Sequence, residues 1–202
     1  MTALSRRWAA LLLTVAGCAL PTGSALAATS TDNSATAIIE VDHGRAFDFA
    51  WNVSRQRSDA DVTNWNSATA KGRCVECRAT AIAFQIVLVS GSPSVVVPRN
   101  TAEALNFECT NCTVAAEARQ FVRVVEDPVR FTGEGRAILA DVRQRLRALE
   151  AQDLPVDQVH AVVEAQEARV RAALANQLVL ASDPSEETDV LERRTLQAAD
   201  LR

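Results

Sequence analysis

Four cysteines in two Cys-x-x-Cys pairs, Cys74–Cys77 and Cys109–Cys112, are the residues best placed by type and spacing to do chemistry. Thiols so arranged support three outcomes: structural disulfides, a zinc ion held by four thiolates, or a redox-active dithiol. An even count in a chain that reads as exported favours disulfides. A bridge within a pair closes a loop of about four residues and contributes about 2 kcal/mol. A bridge between pairs closes about 36 residues and contributes about 4 kcal/mol. Three connectivities are open. Turn-prone Lys71-Gly72 and Asn111 favour bridging within each pair, because residues three apart in an extended strand are too distant to bond. Zinc remains the second outcome, although the 31 residues between the pairs exceed the usual spacing. A redox dithiol needs a lowered thiol pKa, commonly from a helix N-terminus. Glu76 inside the first pair opposes that, Arg73 and Arg78 favour it, and the residues after each pair read as strand.

No other grouping reaches the strength of the cysteines. His43 and His160 are the only histidines, and no His-Glu-x-x-His occurs. His160 and Glu164 stand one helical turn apart and read as a solvated helix face. Asp42 and His43 have no marked nucleophile to serve, and no Gly-rich phosphate loop is present. Gln85 and Gln120 fit hydrogen-bonded interior positions. Arg136, Arg143, Arg145 and Arg147 read as a solvated face, with an anionic partner as the alternative. The chain is therefore expected to be no enzyme and to need no cofactor, zinc excepted.

The elements that carry the cysteines are duplicated. Aligning Cys74–Val89 with Cys109–Val124 gives seven identities in sixteen positions. Beyond the cysteines these fall at every second residue: Ala81/Ala116, Ala83/Ala118, Gln85/Gln120, Val87/Val122 and Val89/Val124. A period of two is a strand signature with one face shared by both copies. Each copy opens on Asn-x-Ala-x-Ala, at Asn66 and at Asn100. The other face of the first strand is Ile82, Phe84, Ile86 and Leu88, so this strand should be central. In the second it is Glu117, Arg119, Phe121 and Arg123, which predicts a side facing water. A helix over 113–126 also fits, but the match between copies favours the strand. Upstream, Phe47, Phe49, Trp51 and Val53 alternate with polar residues as a half-buried strand. From Thr132, a plausible N-cap, apolar residues recur at helical spacing. Asp153-Leu154-Pro155 separates two helices that should fold back as a hairpin, packed on the sheet or on a second copy.

The first 27 residues read as a signal peptide: Arg6-Arg7, an apolar run to Leu20, and Ala25-Leu26-Ala27 as a small-x-small cleavage site. Val15-Ala16-Gly17-Cys18 offers the alternative of a lipobox, with a lipid-modified Cys18 anchoring the chain at the cell surface. Residues 28–37 read as a flexible leader, 38–127 as the duplicated β domain, 128–181 as the helical hairpin and 182–202 as a disordered acidic tail. Without Arg6 and Arg7 the formal net charge moves from −4 to −6, which argues against nucleic acid as a partner. No segment after the signal is long and apolar enough to span a bilayer.

The paired Asn-x-Ala-x-Ala, Cys-x-x-Cys and Ala-x-Ala-x-Gln-x-Val-x-Val pattern, followed by Pro128-Val129-Arg130-Phe131-Thr132 and a long helix, resembles a family of uncharacterised exported proteins of high-GC Gram-positive bacteria. Similar segments are sometimes labelled as part of peptide zinc metalloproteases. The resemblance runs from about Phe47 to Leu180 and implies an architecture more than an activity; the absent His-Glu-x-x-His leaves at most an accessory module of a peptide-processing or export system. Where the family usually has Thr two residues after a pair, this chain has Ala79 and Val114. The expectation is an α+β protein with a small, mostly antiparallel sheet and a C-terminal helical hairpin. Its expected role is a secreted or cell-surface structural or protein-interaction module, with self-association through the hairpin as one route.

Overall fold

The structure, a computed structural model, describes residues 29–181; the signal-like segment with Cys18 and the acidic tail lie outside the described residues. Six long strands come first: β1 (Thr29–Ile39), β2 (Arg45–Arg57), β3 (Val62–Gly72), β4 (Arg78–Ser90), β5 (Val96–Asn106) and β6 (Thr113–Val125). Short β7 (Val129–Phe131), helix α1 (Gly133–Arg147), a tight helical turn at Ala148–Ala151, helix α2 (Val156–Asn176) and short β8 (Leu178–Leu180) complete the order. The class is α+β with a C-terminal helical pair, as expected.

The long strands are parallel, which corrects the expected antiparallel arrangement. β1, β3 and β5 form one sheet, and β2, β4 and β6 form a second; only β7 and β8 pair antiparallel. The chain alternates between the two sheets and rises one strand at each circuit, making three turns of a flattened coil. A parallel partner needs a long crossover, and here the strand of the opposite sheet supplies it. Parallel stacking sets like on like: Asn33, Asn66 and Asn100 fall in register, as do Ala35, Ala68 and Ala102, and Gln85 and Gln120.

The first turn of the coil includes residues expected to be a flexible leader. Asn33-Ser34-Ala35-Thr36-Ala37 is identical to Asn66-Ser67-Ala68-Thr69-Ala70, and β1 pairs with β3 along its whole length. Its polar composition suggested a leader, but the polar side chains Asn33 and Thr31 are hydrogen-bonded within the coil.

Between the sheets the filling is small. Ala35, Ala37, Ala68, Ala70, Ala79, Ala81 and Ala83 are buried there with Cys74 and Cys77. On the outer side of the second sheet the filling is large. Ile82, Phe84, Ile86 and Leu88 of β4 meet Leu139, Val142 and Leu146 of α1 and Val159, Val163 and Val170 of α2. β4 is therefore central and buried on both faces, as its sequence required. The helical pair packs its apolar stripe on the sheet. Thr132 caps α1 by accepting from the Gly135 N–H at 3.0 Å. Asp153 ties the link between the helices to Arg45 and Arg78 of β2 and β4.

The expectation that Glu117 and Arg119 face water is also corrected. Glu117 is 8% exposed, because α2 lies over β6 and answers its charges. His160 Nδ1 stands 2.9 Å from Glu117 Oε1, and Arg119 Nε donates to Glu167 Oε2 at 2.5 Å.

Candidate functional site

The turns that carry the chain from the first sheet to the second place all four cysteines together. Cys74 bonds to Cys77 and Cys109 to Cys112. The two bridges lie one above the other at the same corner of the coil. Cys77 Sγ is 3.3 Å from Cys112 Sγ and 4.0 Å from Cys109 Sγ. All four sulfur atoms lie within 4.8 Å of one another. Cys74 and Cys77 are buried, and Cys109 and Cys112 are partly open.

Local backbone makes this stacking possible. His43, Glu76 and Asn111 occupy the same place in successive turns, and each has positive φ, at 58°, 53° and 56°. Asn adopts that conformation readily and Glu does not, so the stacked bonds around the corner hold Glu76 there. The His43 N–H donates to Val75 O at 2.8 Å and the Glu76 N–H to Thr110 O at 2.8 Å. Gly72 supplies room: a Cβ there would lie 3.0 Å from Val114 Cγ2 and 3.5 Å from Cys109 Sγ.

His43 does not approach the cysteines as a ligand; its Nδ1 pairs with Glu76 Oε2 at 3.1 Å on an exposed surface. Asp42 accepts from the Val75 N–H at 2.8 Å, so Asp42 and His43 act as turn residues. His160 spans Glu117 and Glu164, the latter at 3.1 Å. Its hydrogen bond to Glu117 raises the His160 pKa above the ordinary imidazole value. For Glu167, burial pushes the carboxyl up, but hydrogen bonds from Arg171 and Arg119 outweigh it and hold it below the usual range. These groups tie α2 to β6.

The Asn-x-Ala-x-Ala repeat marked Asn66 and Asn100 but neither Asn33 nor the amide ladder that the three form in the coil interior. Asn33 Nδ2 donates to Asn66 Oδ1, and Asn66 Nδ2 to Asn100 Oδ1, both at 2.8 Å. Gln120 Nε2 donates in the same manner to Gln85 Oε1 at 2.7 Å. The signal was present in the identity of 33–37 with 66–70. The α1 arginines divide: Arg145 pairs with Asp141, whereas Arg136, Arg143 and Arg147 line a groove against β2.

Both Cys-x-x-Cys pairs lead into strands β4 and β6, not into a helix whose N-terminus would stabilise a thiolate. The fold and the cysteine corner define a parallel β-coil with paired disulfides and a helical buttress. Compared with known protein families, with curated proteins and with solved structures, the chain finds no match.

Proposed function

We propose that the protein is an exported, non-catalytic structural module that associates with protein through the open end of its coil. The observation that carries this is β5, exposed at every residue but its first. The sheets are staggered: β3 packs against β4 and β6, whereas β5 packs chiefly against β6 and overhangs. Its inward residues Asn100, Ala102 and Ala104 are consequently open, unlike their counterparts Asn66, Ala68 and Ala70. An unpaired strand edge is a template for another strand.

The partner best matched to this edge is a second copy, stacked head to tail. The Val62 N–H donates to Val95 O, which places the odd-numbered residues of β5 on β3 and the even-numbered ones on the free edge. The Arg73 N–H donates to Ile39 O, so even-numbered residues also line the free edge of β1. Setting Asn100 opposite Asn33 of a second copy joins even edge to even edge. It also sets Arg99 against Asp32 and exposed Leu105 against exposed Ile38. Pro98 and the Asp48 carboxylate on the Thr36 N–H each withhold one bond, so the association is weak and reversible. Sedimentation of the full secreted chain over a concentration series should show open-ended association. Ala104→Pro, which removes an edge N–H and no internal ladder bond, should weaken it. A monomer at all concentrations sinks the self-stacking.

A second reading, a zinc protein, is favoured by the cysteine corner alone. In a tetrathiolate site with Zn–S of about 2.3 Å the sulfur atoms stand about 3.8 Å apart; Cys77 Sγ lies 3.3 and 4.0 Å from the two sulfurs of the other pair, and all four lie within 4.8 Å. An intact mass of the native protein, denatured and alkylated without reduction, separates the two. No added alkyl group supports disulfides; four support zinc or free thiols. The same mass distinguishes a chain beginning at Ala28 from one lipidated at Cys18.

A further inference from the structure

We infer that the groove between α1 and β2 binds a single-chain amphiphile with an anionic, phosphate- or carboxylate-type head. The groove has a volume of about 930 Å³, within the range of small-molecule sites. Trp51, Val53, Phe131 and Leu139 give it an apolar floor. Five of its twelve lining residues are arginine, and none is Asp or Glu. In a chain of net charge −4 that segregation is not a consequence of composition.

The arrangement follows from the helix. Arg136, Arg143 and Arg147 recur at helical spacing along one flank of α1, while Asp141 lies on the other flank and is answered by Arg145 and Arg169. Across the groove stands Arg55 of β2, and Arg130 of β7 closes the wall. Arg136 donates to the Phe131 carbonyl at 2.8 Å, and Arg147 lies 6.0 Å over the Phe49 ring. Among the described residues no carboxylate pairs with Arg55 or Arg143. A cleft of one charge sign with low-dielectric walls concentrates counter-ions. Guanidinium forks on both walls match the planar oxygens of a carboxylate or phosphate. An alkyl chain would lie along the indole and phenyl floor, with its head between the arginines.

The test uses the full secreted chain and monomeric dodecyl phosphate, followed by calorimetry and by Trp51 fluorescence. One-to-one binding is expected, weakening with salt. Arg143→Glu and Arg55→Glu should each weaken it about tenfold, while Arg145→Glu leaves it unchanged. Both residues are exposed, so circular dichroism should show the fold intact. Equal binding of dodecanol overturns the need for an anionic head, and equal binding of inorganic phosphate overturns the need for the chain. Equal loss with Arg145→Glu makes the effect a general surface charge and overturns the site. Binding to phosphatidylglycerol vesicles but not to the monomer overturns it in favour of a bilayer surface. A rise in affinity when Glu186, Glu187 and Asp189 are replaced by their amides makes the chain's own acidic tail the occupant, and overturns it too.

Discussion

The two faces of the second sheet are held by different physics. The inner face meets the first sheet through alanines, amide ladders and the disulfide corner. The outer face meets the helices through Phe84, Ile82, Ile86 and the apolar stripes of α1 and α2. Small side chains let the sheets approach closely, but each alanine removes little apolar surface from water. Hydrogen bonds and covalent bridges make up the difference inside the coil. The large apolar residues are concentrated under the helices, which supply the outer half of that core.

The largest expected effect tests the outer face. Phe84 is fully buried and stacks against Trp51 at 5.9 Å between ring centres. Phe84→Ala should cost about 3–5 kcal/mol in chemical denaturation. A loss under 1 kcal/mol would mean that the helices do not hold the sheet. On the inner face, Asn66→Ala leaves the Asn33 donor and the Asn100 acceptor without their ladder partner. A loss of about 2–3 kcal/mol is expected, and a neutral result would reduce the ladder to a by-product of register. Cys74→Ser with Cys77→Ser should cost about 2 kcal/mol and leave the strand content by circular dichroism intact. Complete unfolding of that variant would make the corner the nucleus of the coil.

The smallest effect concerns the seam between α2 and β6. The His160 pKa is raised by the hydrogen bond to Glu117, by the Glu117 charge and, more weakly, by Glu164. A group whose pKa is higher in the folded state contributes stability that is fully present below its unfolded value, about 6.5, and is lost as pH rises through its folded value. Glu117→Gln should bring the His160 titration, followed by NMR, down towards the ordinary value and flatten this dependence. An unchanged titration would remove Glu117 as the cause.

Much of the architecture was legible along the chain. The period of two after each Cys-x-x-Cys marked β4 and β6, and four branched or aromatic residues on the second face of β4 marked it as central. The N-cap at Thr132 and the break at Pro155 marked the helices. The direction of the strands was not legible, because alternation reports which side of a strand is buried and not which way its neighbour runs. β1 was missed because Thr, Ser and Asn have the composition of a leader until their amides are paired. The charges on β6 looked solvated for a similar reason: the partners of Glu117 and Arg119, His160 and Glu167, stand 43 and 48 residues further on.

By itself the sequence determined β4 and β6, the two helices, the repeat that relates the copies and the two cysteine pairs, because these depend on local periodicity and on residues a few positions apart. Only the tertiary structure decided that the strands stack in parallel, that both bridges share one corner, that β5 is left open and that the α1 arginines face Arg55 across a groove. Each of these brings together residues separated by tens of positions, and their relative placement is set by packing, which no local pattern encodes.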